Sequence, residues 1–226
     1  MKYNAFAIFG ERCSGTNFLQ KSIIDNFNLC FINCQKHFSN GNIHNDTEHI
    51  VFCIVRNPID YLASFFRTPH HQPIERTKNF IAFISSEFWS VNKKKEEMMV
   101  DRNFEANGRR YIDIFEMRSV KCKFLFSTVP LLVSNSCFIR YEDLKLNPIK
   151  ILEDIEQKYG LQRKEKKFYI EKRRIRDDQS VDDIDPIREN YVIEDERAKE
   201  IIKTRLDFDV ETLIGYDKTA IMERLM

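Results

Sequence analysis

The chain has 226 residues, of which 42% are hydrophobic and 31% charged, with a formal net charge of +1. That length buries a sizeable core and that balance belongs to a globular protein, which excludes a disordered or fibrous chain. A charge so near zero also excludes a nucleic-acid binder that works through the field of the whole molecule, so any anion site must be local.

In chain order, residues 5–9 are an all-apolar run that stops at Gly10, and a helical pattern resumes at Phe18, Leu19, Ile23, Ile24 and Phe27. That predicts strand, loop and helix. The β-branched run Ile50 to Val55 ends at Arg56-Asn57-Pro58, where Asn57 suits a helix cap and Pro58 a first helical position. Residues 109–127 carry apolar positions near helical spacing, residues 137–141 read as a strand, and 148–159 as a helix with Pro148 at its start and Gly160 after its end. The segment 163–176 is strongly basic and 177–190 acidic, so 163–190 is expected to be a charged loop or insertion. A last helical segment begins near Glu194, followed by an apolar cluster of Val210, Leu213, Ile214 and Tyr216. Apolar strands alternating with helices imply an α/β fold with a parallel sheet covered on both faces.

The N-terminal residues lack the apolar region and cleavage site of a signal peptide, and no apolar stretch approaches the ~20 residues of a membrane helix. The expectation is a cytoplasmic, single-domain chain spanning 1–226 with no transmembrane segment. Cys13, Cys30, Cys34, Cys53, Cys122 and Cys137 form no C-x-x-C pair, which predicts free thiols.

The segment Gly10-Glu11-Arg12-Cys13-Ser14-Gly15-Thr16-Asn17 joins the first predicted strand to the first predicted helix, with glycines five apart as in the G-x-x-x-x-G-K-S/T loop of nucleotide hydrolases. Backbone N–H groups of such a loop point inward and the helix N-terminus adds partial positive charge, so a phosphate is held by few side chains. Where an ATPase places Lys and Ser/Thr, this chain has Thr16 and Asn17, and Arg12 supplies a cation earlier in the loop. Ser14-Gly15-Thr16-Asn17-Phe18-Leu19 resembles the 5'-phosphosulfate loop of the sulfotransferase superfamily, approximately Lys/Arg-Ser-Gly-Thr-Thr-aromatic-Leu. The family's basic residue directly before the Ser is Cys13 here, with Arg12 one position earlier.

A second segment, from Arg56-Asn57-Pro58-Ile59-Asp60 through Ser64-Phe65, is similar to the same family's 3'-phosphate motif, Arg-(Asn/Asp)-Pro-x-Asp-x-x-x-Ser-(Tyr/Phe). Arg56 at a strand's end and Ser64 two turns into the next helix are expected to face one anion at the carboxyl edge of the sheet. The Arg fork and the Ser hydroxyl supply the donors. The competing arrangement pairs Arg56 with Asp60 and packs Ser64 on its helix. Ile139-Arg140-Tyr141-Glu142-Asp143-Leu144, followed by Asn147-Pro148, resembles a strand-ending segment of the family and is given a structural role, and Ile214-Gly215-Tyr216 resembles the ending of some members. The resemblance runs from residue 6 to about 160 and again near 214, leaving 163–205 unmatched.

The resemblance implies a three-layer P-loop-like fold, with a central parallel sheet flanked by helices. It also implies an enzyme that moves the sulfuryl group of 3'-phosphoadenosine-5'-phosphosulfate (PAPS) to a hydroxyl or amine of a small molecule or glycan, with no obligatory metal and no nucleic acid. PAPS would lie against Gly10, Arg12, Cys13, Ser14, Gly15, Thr16, Asn17, Arg56 and Ser64, with Arg12 also catalytic. Family members carry Lys-x-His or Lys-His before the 3'-phosphate strand, and Lys36-His37-Phe38 stands about twenty residues before Arg56, so His37 is the candidate general base. His44 and His49 compete with it, and His70-His71 reads as surface loop. Phe80, Phe83, Phe88 and Trp89 line either an acceptor pocket or, as their helical spacing favours, the core. Two other functions stay open. The glycine spacing alone admits a P-loop kinase using ATP, and the displaced Arg12 admits an inactive nucleotide-binding scaffold of the same fold.

Overall fold

The structure, a computed structural model, describes residues 2–33, 36–37, 47–171, 174–175, 181–182 and 192–226. In chain order the elements are β1 (Ala5–Gly10), α1 (Thr16–Asn26), β2 (Cys30–Phe31), β3 (His49–Val55), α2 (Pro58–Arg67), α3 (Phe80–Ser85), α4 (Ile114–Lys123) and α5 (Val129–Leu132). They continue with β4 (Ser136–Arg140), α6 (Tyr141–Leu146), α7 (Pro148–Tyr159), β5 (Arg174–Ile175), β6 (Val181–Asp182), α8 (Glu196–Arg205), α9 (Phe208–Leu213) and α10 (Lys218–Glu223). The described residues fall into two compact units, one drawn from residues 2–33, 36–37, 47–56, 127–171, 174–175 and 181–182, the other from 57–126 and 192–226.

The fold is α/β, with a parallel sheet in the order β2-β1-β3-β4 flanked by helices. All of β1 is buried and so is β3 beyond His49, as strands covered on both faces require. The register Phe6↔Ile50, Ile8↔Phe52 and Gly10↔Ile54 aligns the apolar residues of the two strands on a common face. Phe6, Ile8, Ile50, Phe52 and Ile54 there share one core with Leu19 and Ile23 of α1 and with Leu152, Ile155 and Tyr159 of α7. Each fully buried side chain of this size contributes about 1.5–3 kcal/mol. In α7, Leu152, Ile155 and Tyr159 recur at helical spacing and make its buried face, with Pro148 at the start. The two-residue β2 is too short to leave a pattern in the sequence.

In the second unit, Asn57 Oδ1 accepts the Ile59 amide at 3.0 Å and Pro58 opens α2, as the sequence predicts. Phe65 of α2 meets Phe83 at 5.4 Å and Phe88 at 6.3 Å between ring centroids, and Phe88 meets Tyr111 at 6.0 Å. Phe83 and Phe88 are therefore core residues, Phe80 stacks on Phe83, and Trp89 lies under the Arg110 guanidinium. Two ion pairs are buried here: Arg118 with Glu211 at 2.5 Å, and Lys121 with Asp101 at 2.5 Å, the latter carboxylate also accepting from Ser90. Arg76 is buried against Phe88 and Phe83 and donates to Gln72 and to the Phe83 carbonyl. Burial lowers its pKa to about 10.

Some expectations move. Helix α4 starts at Ile114, not near 109, because Asp113 caps it, while Arg109 and Tyr111 bridge to Asn103 and Phe88. In the C-terminal cluster Val210, Ile214 and Tyr216 are buried but Leu213 is exposed. Much of the 163–190 segment lies outside the described residues, and within it the backbones of β5 and β6 pair antiparallel. Cys13, Cys30, Cys53, Cys122 and Cys137 are free thiols, and Cys34 lies outside the described residues. Among the described residues no helix is long and apolar enough to cross a membrane.

Candidate functional site

Strand order places the site. From β1 the chain passes to β2 on one side, then returns to β3 on the other, so the connections leaving β1 and β3 diverge between adjacent strands. In open α/β sheets ligands bind at this switch point, outside the carboxyl ends of the strands. Gly10 ends β1, Arg56 follows β3 and Tyr141 follows β4, so all three stand at that edge, in the first unit.

The loop between β1 and α1 is held tightly. A Cβ on Gly10 would sit 2.7 Å from the Ile54 carbonyl oxygen and 2.9 Å from Ser14 Oγ, so the close approach of β3 leaves room only for hydrogen. Ser14 Oγ donates to the Glu11 carbonyl at 2.7 Å and is fully buried. Cys13 takes the left-handed conformation (φ 62°), which costs a non-glycine residue about 1–2 kcal/mol. Gly15 follows at φ 94°, and a methyl there would lie 2.8 Å from Tyr141 Cε2 and closer still to Cδ2. No side chain caps the first turn of α1, and no carboxylate lies in it. Those amides, with the helix dipole behind them, favour an anion.

Three basic side chains converge on this loop. The Gly10 amide donates to the Lys36 carbonyl at 2.8 Å, and Lys36 Nζ donates to Asn17 Oδ1 at 2.6 Å. His37 Nδ1 lies 2.8 Å from the Gly10 carbonyl oxygen. A carbonyl only accepts, so Nδ1 carries the proton, and in the neutral ring Nε2 is the basic nitrogen. Arg56 Nη1 donates to the Cys13 carbonyl at 3.1 Å, with its guanidinium carbon 4.7 Å from the centroid of the Tyr141 ring.

The first unit thus brings together Gly10, Cys13, Ser14, Gly15, Thr16, Asn17, His37 and Arg56. Arg12 lies in the same loop, 4% exposed beside Glu11 at 1%, and Lys36 brings a further cation to the first turn of α1. Ser64 belongs to the second unit, half-buried on α2. Asp60, offered by sequence as a partner for Arg56, takes a bidentate contact from Arg224, at 2.7 and 3.0 Å, and Arg224 also donates to Asn57 Oδ1. Of the other histidines, His49 opens β3, about 20 Å along the strand from its carboxyl end. His70 and His71 are exposed in the second unit, and His44 lies outside the described residues. The sequence names Lys36 only beside His37 and gives Tyr141 only a general structural part; the signals for their contacts are the adjacency of Lys36 to His37 and the position of Tyr141 one residue beyond a strand. No model of a known protein family matches the chain, and no curated protein matches it.

Proposed function

We propose that the chain is a sulfotransferase that holds PAPS against the carboxyl ends of β1 and β3 and passes its sulfuryl group to a hydroxyl or amine of a small molecule or glycan. The observation that supports this reading is the convergence of Lys36, His37 and Arg56 on a loop whose helix N-terminus no side chain caps. The loop amides and Lys36 face the 5'-phosphosulfate, Lys36 taking the part of the loop lysine that position 16 lacks. His37 Nε2 takes the acceptor's proton as the acceptor oxygen or nitrogen attacks sulfur. The bond from sulfur to the bridging phosphate oxygen breaks, and adenosine 3',5'-bisphosphate leaves with its charge met by the loop amides and the ammonium. Arg56 gives a second anion contact, and the share of Ser64 rests on its spacing from Arg56 along the chain. ATP carries no 3'-phosphate, and Thr16 and Asn17 replace the Lys and Ser/Thr that an ATP site uses.

Calorimetry tests the reading. Adenosine 3',5'-bisphosphate without Mg²⁺ is expected to bind far more tightly than ATP with or without Mg²⁺, and Arg56→Ala is expected to remove the preference. Equal affinity of the wild-type chain for the two nucleotides sinks the proposal.

A further inference from the structure

One aromatic ring touches both anion-binding loops. Tyr141, 8% exposed, follows β4 and presents its face to the Arg56 guanidinium at 4.7 Å, while its edge fills the space that a side chain on Gly15 would need. Phe18 in the first turn of α1 meets the same ring edge-on at 6.4 Å. Arg56 in turn donates to the Cys13 carbonyl, closing a circuit from β4 through β3 to the loop after β1. An Arg side chain has many rotamers, and a guanidinium that must meet an anion binds more weakly if it has to be ordered first. A ring face lowers that cost, because the quadrupole attracts the cation in one place and leaves the guanidinium edge, with its N–H donors, clear of the ring.

We infer that Tyr141 is a positioning residue for anion binding: its ring holds the Arg56 guanidinium and the Gly15 turn in fixed relation, so that both loops meet the ligand already ordered. The inference rests on the functional reading above, and it makes the ring, not the hydroxyl, the part that matters. Tyr141→Phe therefore keeps the affinity for adenosine 3',5'-bisphosphate, whereas Tyr141→Leu lowers it roughly 2- to 30-fold, the range of a cation–π contact. The preference over adenosine 5'-monophosphate falls with it.

Leucine also alters packing, so the deciding series keeps the shape. Phenylalanine at position 141, carrying successively more fluorine atoms on the ring, weakens the quadrupole with little change in size. The expected result is an affinity that falls stepwise with fluorine count in a chain that remains folded at the assay temperature. A flat affinity across the series overturns the inference. A second readout needs no nucleotide: the Arg56 side-chain N–H resonance in a nitrogen–proton spectrum is displaced by the ring current in the wild type and in Tyr141→Phe, and moves to the position of a mobile arginine in Tyr141→Leu. If the wild type binds neither nucleotide, the sulfotransferase reading fails and this spectrum still decides the role of the ring. An Arg56 resonance already at the mobile position in the wild type overturns it.

Discussion

Gly15→Ala perturbs the candidate site at its narrowest point. The residue sits at φ 94°, in the left-handed region, which costs an alanine about 1–2 kcal/mol. The added methyl would also stand 2.8 Å from Tyr141 Cε2, against a ring that is buried and already engaged by Arg56 and Phe18. Forcing one methyl into such packing costs about 1–3 kcal/mol. The two together predict a loss of about 2–5 kcal/mol in urea denaturation, a large share of the stability of a typical domain. The partner of the clash is testable by a double-mutant cycle. Tyr141→Leu removes the ring that the methyl meets, so the double variant loses less than the sum of the singles, with a coupling of about 0.5–3 kcal/mol. A Gly15→Ala variant within about 0.5 kcal/mol of wild type, or strictly additive singles, refutes the packing argument.

Other consequences follow from buried charge and from thiol burial. Arg118→Met strands the Glu211 carboxylate, 1% exposed, and is expected to cost about 3–5 kcal/mol in the same denaturation assay. Arg118→Met combined with Glu211→Leu recovers most of it; a double variant as unstable as the single contradicts the assignment. Burial, with Cys137 nearby, pushes the Cys53 thiol far above the ordinary value of about 8.5, and burial likewise raises the Tyr159 phenol. Both groups bind their protons more tightly folded than unfolded. Their contribution is whole below the unfolded thiol value of about 8.5 and is lost as pH rises above it. Thermal midpoints between neutral and alkaline pH should therefore fall, and fall less steeply in Cys53→Ala; parallel slopes for the two chains count against it.

How much of this was legible in the sequence depends on distance along the chain. The strands Ala5–Gly10 and His49–Val55 announce themselves as apolar runs, and the Asn57-Pro58 start of α2 by its capping chemistry. The two loops were legible because their residues are contiguous. What was not legible is what strand order decides: that Tyr141, which follows β4, lies against Gly15, which follows β1, and against Arg56, which follows β3. Long-range ion pairs are silent for the same reason, since nothing local couples Arg118 to Glu211 or Asp60 to Arg224. The early start read for α4 came from apolar spacing alone. Asp113, which accepts the Phe115 and Glu116 amides, was the available start signal.

Transfer itself tests the central claim most directly. The chain is incubated with PAPS and a panel of hydroxyl- and amine-bearing metabolites and glycans, and in parallel with ATP and Mg²⁺, and both reactions are followed by mass spectrometry. The account predicts that an acceptor gains the mass of one SO₃ group only in the PAPS reaction, with equimolar release of adenosine 3',5'-bisphosphate, and that His37→Ala abolishes the gain. Phosphoryl transfer from ATP, with no transfer from PAPS, would contradict it.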